Sequence, residues 1–156
     1  MDRPTFSQSP RVRIAILFIT LVVVMLGFGM IIPILPFYIE AYGVGESTQR
    51  LQMTMLMAIF ALAQFLFAPF WGKLSDRRGR KAILMVGILG NAISQLFFGL
   101  STELWMLYAS RALAGILSSA TLPTAMAYIG DSTSEEDRGG GMGMMGAAMG
   151  VGMVLG

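Results

Sequence analysis

Long apolar runs alternate along the chain with short polar connections. The first run extends from Ile14 to Pro36 without an ionisable side chain, and the second from Leu51 to Gly72. The third covers Ala82 to Thr102, the fourth covers Leu104 to Gly130 with Arg111 as its one interruption, and the fifth begins near Gly139 and is still apolar at Gly156. At about 1.5 Å of rise per residue, some twenty helical residues cross a hydrocarbon core of roughly 30 Å. Backbone polar groups in lipid must be satisfied within the segment or within a closed barrel. The runs are continuous and do not alternate, which disfavours strands of a barrel. The pattern therefore predicts an all-α membrane protein. A tail, residues 1–13, precedes one incomplete transmembrane domain, residues 14–156, with helices at about 14–38, 51–72, 82–101, 104–130 and 139–156, the last cut short. No soluble domain is expected.

Composition supports the membrane class. Apolar residues make up 55% of the chain and charged residues 13%, with a mean hydropathy of +0.69; soluble domains carry about 25% charged residues. There is no Cys and no His. Disulfides, thiolate nucleophiles, imidazole bases and the usual zinc sites are thereby excluded, and no metal or other cofactor is expected. The basic start, Arg3, Arg11 and Arg13, could suggest a signal peptide. The apolar run that follows is longer than an h-region of about 7–15 residues and lacks a small-residue cleavage site, so it reads as an uncleaved first helix.

Orientation follows from the cations. Arg3, Arg11 and Arg13 precede the first helix, and Lys73, Arg77, Arg78, Arg80 and Lys81 lie between the second and third. Both regions are expected in the cytoplasm. The fourth connection is then cytoplasmic too, although it is acidic (Asp131, Glu135, Glu136, Asp137). Ser132 with Glu135 matches a capping box, and acids suit the positive end of a helix dipole, so the fifth helix is expected to begin there.

The most specific local pattern is Gly72-Lys73-Leu74-Ser75-Asp76-Arg77-Arg78-Gly79-Arg80-Lys81, read as a short cytoplasmic loop whose two glycines permit tight turns. Its pattern G-x-L-x-D-R-x-G-R-K resembles the loop motif of the major facilitator superfamily. Three further patterns, in other helices, resemble motifs of the same superfamily. Leu26-Gly27 followed after five residues by Pro33-Ile34-Leu35-Pro36 resembles the first-helix motif of its drug:proton antiporter branch. Arg111-x-x-x-Gly115 resembles the intramembrane arginine motif. Gly143, Gly152 and Gly156 resemble the start of the antiporter motif, which in that family continues with proline. The resemblance spans nearly the whole chain and is nearest to multidrug- and tetracycline-efflux transporters. It implies the first five of twelve helices, a cytoplasmic N-terminus, location in the cell membrane as a multi-pass protein, and proton-coupled export of amphipathic compounds. The implied partners are a small-molecule substrate, protons, the lipid bilayer and the C-terminal half of the same transporter, with no nucleic acid. Some proton-coupled members carry a buried acid in the first helix; this chain has none.

The residues carry alternative readings. Arg111 is the one clearly intramembrane charge. An arginine there costs a few kcal/mol on insertion scales, so it either snorkels to the outer interface or faces a wet cavity or partner; the resemblance implies a cavity or proton-coupling role. Asp131 either caps the fifth helix or joins a network. The resemblance implies that Gly72, Asp76, Arg80 and Asp131 form a gate-side network that holds the outward-facing state. Gln64, Asn91, Ser94 and Gln95 are expected to hydrogen-bond between helices rather than to bind substrate. The pairs Gly139/Gly143, Gly146/Gly150 and Gly152/Gly156 are expected to allow close helix packing, with neighbouring Met side chains able to repack. Pro33, Pro36 and Pro123 are expected to kink their helices, in keeping with an inverted three-plus-three repeat. Gly141-x-Gly143-x-x-Gly146 fits a dinucleotide fingerprint by letter only, since no strand precedes it. Rival readings are an uptake symporter for a sugar or metabolite, which is not expected to carry the fifth-helix glycines, and a non-transporting membrane fragment. An enzyme is disfavoured, because the spans show no catalytic pair.

Overall fold

The computed structural model describes residues 10–43, 45–132 and 138–156, and among them the regular structure is entirely helical. Helix α1 covers Pro10–Ala41, α2 Glu46–Arg78, α3 Arg80–Gly99, α4 Leu104–Ser118, α5 Thr121–Ser132 and α6 Arg138–Leu155. Among the described residues four stretches are long and apolar enough to cross a membrane: Ala15–Ala41, Thr48–Arg78, Arg80–Gly99, and Leu104–Asp131, which takes in α4 and α5 together. Helix α6 is apolar but shorter.

The second helix departs from the sequence expectation. It does not end at Gly72 but continues through Arg78, so the decapeptide from Gly72 to Lys81 is mostly helix rather than loop. Gly72 lies inside α2, with open space around the position a Cβ would take, and makes no turn. Of these two glycines it is Gly79 that turns the chain. Its φ of +94°, which side-chain-bearing residues rarely adopt, separates α2 from α3. A lysine- and arginine-rich sequence is a good helix former, and Arg77 and Arg78 in the last turn complement the negative end of the α2 dipole.

The fourth span also differs. It is not one helix over 104–130 but two, broken at Ser119 and Ala120. Pro123 accounts for the position of the break. It has no N–H for the Ser119 carbonyl four residues back, and its ring crowds that carbonyl. The chain tightens there, with Ala120 N–H donating to the Leu117 carbonyl. The Ile116 carbonyl, which loses its α-helical donor, accepts instead from Trp71 Nε1 at 2.7 Å and Ser119 Oγ at 2.7 Å. By contrast α1 runs through Pro33 and Pro36 as one helix. The Pro36 carbonyl there accepts from Gln49 Nε2 at 2.9 Å.

Helix α1 packs mainly against α6, α2 against α4, and α3 against α4 and α5. Glycines set the closest approaches. A Cβ at Gly115 would lie 2.5 Å from the Phe60 carbonyl oxygen, and one at Gly90 would lie 2.5 Å from Leu117 Cβ. Two apolar clusters form, one around Leu17, Leu21, Leu84 and Ile129, the other around Ile31, Leu35, Phe98 and Leu107. Large apolar side chains nevertheless cover the outside; Phe65 on α2 is 76% exposed and Phe37 on α1 is 70% exposed. Apolar surface on this scale belongs against lipid or further helices, not water.

Candidate functional site

At the end of the bundle where α2 gives way to α3, three charges come together. Arg80 Nη1 lies 2.6 Å from Asp76 Oδ1, one helical turn earlier, and Arg80 Nε lies 3.0 Å from Asp131 Oδ2 in the last turn of α5. Arg80 Nη1 also donates to Ser75 Oγ at 3.1 Å, and Ser75 Oγ donates to the Gly72 carbonyl at 2.9 Å. The Gly79 turn brings this about by starting α3 immediately after α2, so that Arg80 reaches both back along α2 and across to α5. Both carboxylates are 61% exposed. Pairs this exposed contribute only about 0.2–1 kcal/mol each, too little to hold the fold but enough to bias two arrangements of it. The Asp131 carboxylate is thus engaged with Arg80; the expected capping box of Ser132 with Glu135 lies outside the described residues.

Arg111 does not snorkel. It is 2% exposed, its guanidinium lies 4.6 Å from the centre of the Phe98 ring, and Nη2 donates to Gln95 Oε1 at 3.5 Å. Its Nε has no hydrogen-bond partner among the described residues. Gln95 in turn donates through Nε2 to the Gly27 carbonyl at 2.6 Å, so that one amide joins α1, α3 and α4. Gly27 permits this: a Cβ there would lie 3.0 Å from Gln95 Nε2. Arg111 is therefore joined to the first-helix pattern at Gly27 through Gln95. Pro33 and Pro36 lie further along α1, outside this contact.

Between the two apolar clusters lies a cavity of about 320 Å³ bordered by α1, α2, α5, α6 and single residues of α3 and α4. Its walls are mainly apolar, with Phe28, Phe60, Met149 and Met153 among them. Its polar lining is uncharged: Gln64, Asn91, Ser118 and Thr121. The Ser118 and Thr121 hydroxyls have no hydrogen-bond partner among the described residues. A few convergent polar groups in an apolar wall are what a small-molecule site needs to orient a ligand. Gln95 bonds across helices as expected, and Ser94 donates back to Gly90 within α3 at 2.7 Å. Gln64 and Asn91, expected from sequence to hydrogen-bond between helices, border the cavity, and Ser118 and Thr121 carry no expectation from sequence. Polarity within a span was the available signal. What it lacked was the helix rotation that decides which polar groups share a space.

The glycines of α6 divide. Gly152 and Gly156 press on α1: a Cβ at Gly152 would lie 2.6 Å from the Val22 carbonyl oxygen, and one at Gly156 would overlap the Leu26 carbonyl. Gly143, and with it Gly139, Gly146 and Gly150, has open space instead, so the expected packing stripe is confined to the last pair.

The description of the Major Facilitator Superfamily matches residues 17–156. The chain is 36% identical over 141 residues to multidrug resistance protein 2 of Bacillus subtilis (strain 168), which covers 90% of the chain and 34% of that protein. It is 39% identical over 141 residues to the class B tetracycline resistance protein of Escherichia coli, covering 88% and 35%. It is 29% identical over 144 residues to quinolone resistance protein NorA of Staphylococcus aureus (strain Mu50 / ATCC 700699), covering 92% and 36%. The chain thus spans about a third of the length of these relatives. Span-length apolar helices and these relatives together make it a multi-pass protein of the cell membrane. With the family's description matching residues 17–156 and with efflux proteins as its relatives, the chain belongs to the Major Facilitator Superfamily.

Proposed function

We propose that this chain supplies the first helices of a secondary active transporter that exports amphipathic compounds in exchange for protons by alternating access. The observation that carries the reading is the cavity between the two apolar clusters, with aromatic and methionine walls and an uncharged polar lining. Such a surface suits molecules that combine an apolar body with a few hydrogen-bonding groups, and flexible Met side chains accommodate varied shapes. The printed names of the relatives, multidrug, tetracycline and quinolone resistance proteins, point to the same substrate class.

In this reading the Asp76–Arg80–Asp131 cluster is a latch. It is made when the cytoplasmic side is closed and broken when that side opens, so its few charge-assisted bonds weigh on one state and not the other. Arg111 is assigned to the coupling of protons, since it is a buried cation linked through Gln95 to α1. Gly152 and Gly156 let α6 bear directly on α1, so that the two move together. An uptake symporter is the second reading, disfavoured because that glycine pair belongs to the antiporter pattern.

Everted membrane vesicles carrying the protein as part of a complete transporter provide the test. Amphipathic dyes should accumulate inside on energisation and leak out when a protonophore collapses the gradient. Accumulation that ignores the protonophore removes proton coupling, and flux of sugars in place of dyes selects the symporter.

A further inference from the structure

Beside the latch, α2, α3 and α5 border an open surface cleft of about 640 Å³ that the transport reading leaves unassigned. Its rim carries Arg78 and Lys81, with Tyr128 on the α5 side. Arg80 also borders it but is held by Asp76 and Asp131, the latter being the acidic group of the cleft. Among the described residues, Arg78 and Lys81 have no carboxylate within ion-pair distance. The first turn of α3, which opens into the same region, has Gly79 as its cap and no side-chain cap to its amides.

The other wall of the cleft is apolar and leads into the membrane. Met85 lines it, and Met85, Val86, Leu89, Ile93 and Leu96 are all exposed, at 40–64%. Their spacing places them along one face of α3. A cationic pocket thus lies at the head of an apolar track, at the end of the bundle that the basic residues assign to the cytoplasm. One class of molecule matches both halves at this depth, a phospholipid with an anionic headgroup.

We infer that this cleft is a binding site for an anionic phospholipid. Its phosphodiester meets Arg78 and Lys81 beside Tyr128 of the same cleft, and one acyl chain lies along the Met85–Leu96 face. A lipid seated there lies against Arg80 and Asp131 and touches both sides of the latch. The site does not depend on what the protein transports.

The purified protein in mixed micelles with phosphatidylglycerol and phosphatidylcholine, followed by native mass spectrometry, tests the assignment. Two well-placed cations should favour phosphatidylglycerol by about tenfold or more. R78Q/K81Q should abolish the preference. K73Q/R77Q, which removes the same charge from the same end of the bundle but outside the cleft, should retain it. Equal loss in both double variants overturns the assignment in favour of diffuse charge. Equal retention of the two lipids by the unaltered protein also overturns it, the cations then being neutralised within the protein. Displacement by millimolar inorganic phosphate overturns the lipid in favour of a soluble phosphorylated ligand. Should R78Q/K81Q fail to fold, a photoactivatable phosphatidylglycerol on the unaltered protein decides: labelling along residues 82–96 supports the site, and labelling elsewhere defeats it.

Discussion

Trp71 Nε1 donates to the Ile116 carbonyl at 2.7 Å, and this oxygen is one that the break in the fourth span releases from helical pairing. The bond makes α2 a structural partner of the break rather than a bystander. The same carbonyl accepts from Ser119 Oγ at 2.7 Å, so it has two donors in place of one backbone N–H.

Trp71→Phe keeps most of the ring and removes the donor. Hydrogen bonds between membrane helices average about 0.6 kcal/mol, so a loss of about that size is expected for Trp71→Phe alone. In a Ser119→Ala background the carbonyl loses its second side-chain donor as well, and the combined loss should exceed the sum by about 0.5 kcal/mol or more. Thermal unfolding in detergent, followed by circular dichroism, measures both. Strict additivity would mean that the two donors do not share the work of satisfying this oxygen.

Helix spacing gives a sharper contrast among the glycines. A Cβ at Gly115 meets backbone, the Phe60 carbonyl oxygen at 2.5 Å, which cannot swing away. Gly115→Ala should separate α4 from α2 and cost about 1–3 kcal/mol, the usual range for overpacking. Gly143→Ala meets open space and, in mid-helix, should be neutral or stabilising by up to about 1 kcal/mol. Unfolding midpoints of the two variants should move in opposite directions or differ by many degrees. Equal midpoints would refute the packing assigned to Gly115.

How much of this was legible in the sequence depends on what each feature required. The runs of apolar residues were enough for the spans, because length and charge alone decide whether a segment can sit in lipid. The Asp76, Arg80 and Asp131 cluster was anticipated from the resemblance, and the three charges do meet. The extension of α2 through Arg78 was missed because charge was read as the end of a span; a helix can leave the membrane and continue in water. The break at Ser119–Ala120 was misplaced to Pro123 because proline acts on the carbonyl four residues behind it. Gly143 and Gly152 look alike by letter. Only the rotation of α6 against α1 separates them, and no single sequence carries that rotation.

Asn91 and Gln95 offer a test of that same distinction on α3. Gln95 ties the Gly27 carbonyl to Arg111, so Gln95→Leu should strand a buried cation and cost about 1–3 kcal/mol of stability. Asn91 borders the cavity and ties no other helix among the described residues, so Asn91→Leu should fold as well as the original. Its effect should fall on the substrate range of the transporter, shifting export toward more apolar dyes. Comparing unfolding midpoints with export of a dye series separates the two. An Asn91→Leu protein with unchanged preference would remove Asn91 from the ligand surface.

The latch makes its prediction in conformational populations rather than stability. Asp76 and Asp131 are exposed, and each pair with Arg80 contributes at most about 1 kcal/mol, so Asp76→Asn or Asp131→Asn should barely move the unfolding midpoint. If the pairs exist only while the cytoplasmic side is closed, however, loss of one favours opening by up to about fivefold, and Arg80→Gln, which breaks both, by more. The absence of cysteine makes the measurement clean. A single cysteine at Ser118, on the cavity, can be labelled from the cytoplasmic side with a membrane-impermeant maleimide. Labelling should quicken severalfold in Asp76→Asn and Asp131→Asn and most in Arg80→Gln. Export should fall in the same order, because a transporter that cannot hold its inner side closed loses one half of its cycle. Unchanged labelling with lost export would assign these charges to another step of transport and not to the closure of the cytoplasmic side.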